Sequence, residues 1–325
     1  MYSPGLRHPM FRSLLVLAVV AAFQACGDGD GPLEPAADRA AEPVADALPA
    51  ITTSPWIAFM SYGGSPNVYK VSPQGGQWAG VFTQTDGVRS PAWSWDNQRV
   101  AMVRSRWNSN HVPHDDIWIV NADGSNGHWA RNQPSVWHFD DPSWSPNGAR
   151  IVMTVNVGGV RTLGWIEPAT SKVGLFYAPL GGAIHGTRPS YNKAGTKILY
   201  VGEHTTTIEQ INTDGSGRKV HITATARLDY PSFSPDGGRI AYEKGPVEGN
   251  TDVFVRNIAT AATTRLTLST AADRHPSWSP DGTRLAFASA RTGKYQIYTM
   301  KAGTGGDVLR ITYADQWLDS PVWTH

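Results

Sequence analysis

Six times this chain spells a proline, one further residue, an aromatic and then a polar stretch. The copies are Pro91-Ala-Trp93, Pro142-Ser-Trp144, Pro189-Ser-Tyr191, Pro231-Ser-Phe233, Pro276-Ser-Trp278 and Pro321-Val-Trp323. They stand roughly 42 to 51 residues apart, which is the length of one four-stranded propeller blade. Such a period limits the fold to a radial or stacked array before any other feature is weighed. The 33 glycines and 23 prolines, without a long stretch of helical period, agree with many short strands joined by turns. A hydrophobic share of 40% supplies a packed core.

Each piece of the repeat has a mechanical reason. The clearest copy runs Pro276-Ser-Trp-Ser-Pro-Asp-Gly282 and continues Thr283-Arg-Leu-Ala-Phe-Ala288. Proline at a strand start sacrifices no needed ladder donor. The aromatic two residues on is large enough to pack between neighbouring sheets. Ser-Pro-Asp-Gly is a tight turn, with Pro setting φ and Gly accepting a left-handed end. At 91–97 the turn reads Trp-Ser-Trp-Asp-Asn, and Asn97 takes the glycine's role because it tolerates positive φ. The last copy, Pro321-Val-Trp323, has no outer strands after it, whereas 56–60, 67–71 and 79–83 read as outer strands with no innermost one before them. Joining the two ends predicts a shared blade that removes exposed edges. The expected fold is therefore all-β: a six-bladed β-propeller with four-stranded blades, over 55–325, closed by a blade shared between the N- and C-terminal segments.

Pro-Ser-Trp-Ser-Pro-Asp-Gly followed by Arg-Leu-Ala-Phe resembles the TolB-like propeller repeat of bacterial envelope proteins, over roughly residues 55–325. The resemblance implies a six-bladed propeller and a protein-binding habit. TolB itself carries an α/β domain ahead of its propeller and binds a peptidoglycan-associated lipoprotein. Here a short tether stands in that place, so membership of a Tol–Pal system is not implied. Similar propellers also precede the catalytic domain of prolyl oligopeptidase-like enzymes, but no Gly-x-Ser-x-Gly elbow occurs in this sequence.

The N-terminal segment supplies an address. Arg7 and Arg12 precede an apolar run from Leu14 to Phe23, too short to span a bilayer and shaped like a secretory signal. Phe23-Gln-Ala-Cys26 follows, with the only cysteine of the chain. The segment resembles a bacterial lipoprotein signal, departing from it at Phe23, where leucine is usual. Cleavage after residue 25 would leave Cys26 as a lipidated N-terminus. The alternative is an ordinary signal cut after Val20-Ala-Ala22, leaving Cys26 an unpaired thiol. Residues 27–50 carry six acids against Arg39 alone, and 26–54 reads as a lipidated cysteine with an acidic, Pro/Ala-rich disordered tether. With three of the 28 basic and six of the 27 acidic residues upstream, 51–325 holds 25 basic and 21 acidic side chains. That mild, dispersed excess excludes a nucleic-acid footprint. The expected location is the bacterial cell envelope, lipid-anchored and periplasm-facing or surface-exposed, with contact to membrane through the lipid alone.

In a blade of this kind the loops leading into the innermost strands share one face with the loops between second and third strands. Arg89, Asp141, Arg188, Asp229, Tyr230, Arg274, His275 and Asp319 converge there as candidate partner-binding residues. The expected role is a monomeric, non-catalytic module that engages an envelope protein or peptide and needs no cofactor. A second reading comes from His111, His114, His138, His185, His204 and His275, all on or near that face. Imidazoles from several blades would hold a metal for a polysaccharide lyase or hydrolase, as in the related oligogalacturonate lyase propeller. Their spacing matches no recognised ligand motif, and no metal is expected. A small-ligand sensor is the third reading. The paired acids Asp115-Asp116 and Asp140-Asp141 are expected to point apart, and Trp93, Trp144, Trp278 and Trp323 to pack between blades.

Overall fold

A computed structural model describes residues 55–325, apart from 64–67, 83–87, 108–112, 132–136 and 247–248. The expected signal peptide, Cys26, the tether and His111 lie outside the described residues. All regular structure among those described is β, arranged as six four-stranded antiparallel sheets. Blades 1 to 5 begin with the innermost strands Val88–Trp93, His138–Trp144, Gly186–Tyr191, Arg227–Phe233 and Asp273–Trp278, and each runs outward in chain order. Blade 6 joins Trp317–Trp323 at its centre to Ile57–Tyr62, Val68–Val71 and Trp78–Phe82. The shared closing blade is therefore as expected. Its seam is an antiparallel pairing of Ile57 with Trp323, extended by Trp56 N–H donating to Thr324 Oγ1 at 2.7 Å.

The hydrophobic core is not central. It lies in six layers, each filled by two adjacent blades. Between blades 1 and 2, for example, Val103, Ile117 and Ile119 meet Phe139, Trp144 and Met153, all fully or almost fully buried. The repeat aromatic is the wedge of each layer. Trp144 donates its indole N–H to Ala92 O of the preceding blade at 3.2 Å, and Trp278 does the same to Ser232 O at 3.2 Å. In blades 1 and 4 the arginine after the turn then stacks on the next blade's wedge. Arg99 lies 4.5 Å from the Trp144 ring centre and Arg239 lies 4.7 Å from that of Trp278. The four expected tryptophans all pack between blades, and none is more than 7% exposed.

The polar turn works through its serine. Ser279 Oγ donates to Asp281 Oδ1 at 2.6 Å and accepts the Arg284 N–H at 2.9 Å. The pattern recurs at Ser94, Ser145 and Ser234. In blade 3 the degraded turn uses Asn192 instead, whose Oδ1 accepts the N–H groups of Thr196 and Lys197 at 2.9 Å. Asn97 adopts φ of 59° where Gly282 has 70°, as its side chain permits.

A buried wedge that also carries an interblade hydrogen bond and a stacked guanidinium is expensive to remove. Trp144→Ala is expected to lower unfolding free energy by about 3–5 kcal/mol, read by urea denaturation. Replacing the fully exposed Leu180 by Ser is expected to shift it by no more than about 0.5 kcal/mol.

Candidate functional site

Proline has no N–H to give the neighbouring strand, so each innermost strand slips register around its repeat proline. The residue just before the proline absorbs the slip in a left-handed conformation. Ser90, Asp141, Arg188, Tyr230, His275 and Ser320 have φ between 46° and 55°. For non-glycine residues this costs on the order of 1–3 kcal/mol each. Its consequence is positional: all six residues line the central channel near its upper rim, where the innermost strands begin.

Arg188 and, in the other blades, the residues one position before these make charges alternate around the rim. Arg89 of blade 1 reaches Asp140 of blade 2 at 3.5 Å. Arg188 of blade 3 reaches Asp229 of blade 4 at 2.7 Å. Arg274 of blade 5 reaches Asp319 of blade 6 at 2.5 Å. Three ion pairs thus bridge alternate interfaces. Two of the remaining interfaces use other contacts. Thr154 Oγ1 donates to Asp141 Oδ2 at 3.0 Å and accepts the Arg188 N–H at 3.0 Å, joining blades 2 and 3. The His275 N–H donates to Glu243 at 3.0 Å, and the Tyr230 and His275 rings meet edge to face at 3.8 Å, joining blades 4 and 5. Arg227 adds a second cation to Asp229, whose side chain is only 1% exposed.

The eight sequence candidates therefore do come together, and each has its charge or ring engaged by a neighbour. Arg89 and Arg274 remain about one-third exposed. Beside Arg274 lies a group that sequence reasoning did not single out. Tyr295 sits 3.8 Å below the Arg274 guanidinium and 5.3 Å from Trp317, which is the strand partner of Tyr62. Tyr62 and Trp317 are 51% and 46% exposed, unusual for large aromatics. Tyr62 ends the strand Ile57–Tyr62, and nothing local in the sequence marks it as lying near Trp317 and Tyr295. On the opposite side of the rim, a polar pocket of about 280 Å³ is lined by Arg89, Asp115, His138, Asp140 and Arg161.

The histidines do not gather. His114 is buried beside Asp116, His138 lies 3.7 Å from Asp115, and His185 and His204 are exposed. Among the described residues no three of His, Cys, Asp and Glu are placed to hold a metal. The acid pairs do point apart. Asp115 faces Arg89 at 2.8 Å while Asp116 is buried near Arg131, and Asp140 faces Arg89 while Asp141 faces Thr154.

Burial and pairing set the protonation of the ring. Desolvation pushes the Asp141 carboxyl up to about 6, with Arg188 opposing and Asp140 adding to the rise. Burial pushes the His275 imidazole down, but Asp319 and Glu243 outweigh it and hold the group above its ordinary value. Asp319 is held low, because His275 and Arg274 outweigh its burial.

Fold and rim together define a closed six-bladed β-propeller whose proline bulges deliver polar side chains to one end of its channel. Residues 186–325 match the family model described as the TolB beta propeller domain. Over that stretch the chain resembles the TolB-like propeller family. A stretch of 136 residues is 29% identical to the Protein TolB homolog of Chlorobium chlorochromatii (strain CaD3), covering 41% of this chain but only 29% of that relative. TolB from Acinetobacter baumannii superposes with a TM-score of 0.68 at 18% identity, over 83% of this chain and 66% of that one. A putative TolB from Agrobacterium tumefaciens gives 0.60 at 16% identity, over 79% and 88%. At these identities the solved structures speak for the fold alone.

Two pH effects follow. The folded Asp141 carboxyl titrates near 6, above its ordinary 3.8, so its ionisation opposes folding increasingly as pH rises through that interval. Asp141→Asn keeps the left-handed backbone and is expected to melt above the parent at pH 8 and with it below pH 4. For His275 the sign is reversed: its raised value stabilises the fold below its ordinary 6.5, and that contribution is lost as pH rises through the folded midpoint. Asp319→Asn is expected to lower the His275 midpoint in an NMR titration; an unchanged midpoint would contradict the pairing.

Proposed function

We propose that this protein is a non-catalytic binding module of the bacterial envelope, held by lipid at Cys26, which engages a protein or peptide at the upper rim. The observation that carries this reading is the exposed pair Tyr62 and Trp317 beside Tyr295 and the exposed part of Arg274. Exposed Tyr, Trp and Arg on a rigid base are what the energetic centres of protein interfaces are made of. The ring beneath supplies that rigidity, since the rim side chains are already fixed by one another and little ordering is left for binding to impose. The buried acids Asp229 and Asp319 act as positioning groups, and the partly exposed Arg89 and Arg274 supply charge complementarity and steering. The partial match to a TolB homolog is in keeping with a binding role.

The test is affinity capture from envelope extract with the full chain and with its Tyr62→Ala/Trp317→Ala variant, read by mass spectrometry. Both substitutions are at the surface, so the melt is expected to stay within a few degrees of the parent. At least one protein is expected to be retained by the parent and reduced tenfold or more on the variant. Identical retention on both baits would remove the rim aromatics from the binding surface.

A further inference from the structure

The channel below the charge ring is a second cavity, on the side of the propeller away from the rim aromatics. Its volume is about 440 Å³, inside the range of about 300–1,000 Å³ typical of small-molecule sites. Asp141 and Arg188 line both this channel and the polar rim pocket, so the ring stands between the two. We propose that this channel binds a small, flat, uncharged aromatic molecule carrying one hydrogen-bonding group.

The walls decide the class. The six repeat prolines and the edges of the repeat aromatics form them, with small residues such as Ala92, Ser190 and Val322 setting the bore. Aromatic faces and proline rings favour a planar apolar body. At the ring end the charges are matched within the protein: Arg188 by Asp229 and His275 by Asp319. An ionic ligand would lose its hydration there and find no unmatched partner. At the lower end the Trp95 indole already stacks on a planar ring, the His325 imidazole, at 3.7 Å and 6°.

One wall group asks for a polar contact. Ser143 and Ser277 each accept an N–H from the next blade, at 3.3 Å from Tyr191 and 3.0 Å from Trp323. Ser232 occupies the same place in blade 4 and lines the channel, yet its Oγ is buried without a hydrogen-bond partner. Buried hydroxyls are nearly always paired, and rotation of the Ser232 side chain toward the channel it lines lets a ligand hydroxyl satisfy this one.

The probe is 2-naphthol, two fused rings with one hydroxyl, titrated into the full chain and read by calorimetry and by quenching of tryptophan emission. Saturable one-to-one binding is expected, weakened tenfold or more by Ser190→Phe, which fills the bore, and several-fold by Ser232→Ala. If Ser190→Phe does not fold by circular dichroism, Val322→Met is the smaller filler. The Tyr62→Ala/Trp317→Ala variant is expected to bind 2-naphthol as the parent does, which keeps this site separate from partner capture at the rim. Absence of saturable binding, or equal affinity in the filled variant, overturns the site. Binding lost in the rim variant places the probe elsewhere and overturns it as well, and tighter binding of 2-naphthoate than of 2-naphthol overturns the uncharged class.

Discussion

A proline at a fixed point of each innermost strand cannot complete the ladder, and that missing N–H organises the rest of the molecule. The strand bulges, the preceding residue turns left-handed, and its side chain faces the channel instead of the neighbouring sheet. Two residues later the register recovers and the aromatic enters the layer between blades. One backbone event therefore separates rim chemistry from core packing six times over. The strain is tolerable because wedge, turn and stacked arginine fix the strand from both sides.

Closure makes the six events cooperative. Each core layer needs two blades, so no blade is complete alone. Joining Trp317–Trp323 to Ile57–Tyr62 within blade 6 turns a linear array into a ring. The rim then gains alternating charges, with Arg89, Arg188 and Arg274 each meeting an acid of the following blade. Ion pairs exposed to water contribute little to stability. Buried acids such as Asp229 and Asp319 nonetheless require a cation once placed there. The pairs are better understood as setting geometry than as holding the fold together.

That pairing changes how the candidate residues are to be understood. Read from the sequence, Arg188, Asp229 and His275 look like free anchors converging on a rim. In the structure they are a framework whose charges are paired internally, and the large aromatics exposed beside them are Tyr62 and Trp317. Their adjacency needs blade 6 to close, since they stand at opposite ends of the chain. The described histidines fail to gather for a related reason: sharing a face does not bring loops of different blades within ligand distance.

The sequence by itself determined the number of blades, the seam between the two ends, the wedge tryptophans and the positive φ of Asn97. All of these are local, repeated patterns in which a residue's role depends on neighbours within a few positions. Only the tertiary structure decided which rim charge meets which, that Asp141 and Arg188 divide two cavities, and that Ser232 lacks the bond that Ser143 and Ser277 make. Those outcomes depend on contacts between blades some 45 residues apart in sequence, of the order of one full repeat. Their distances come from packing and closure, and the repeat pattern carries no information about them.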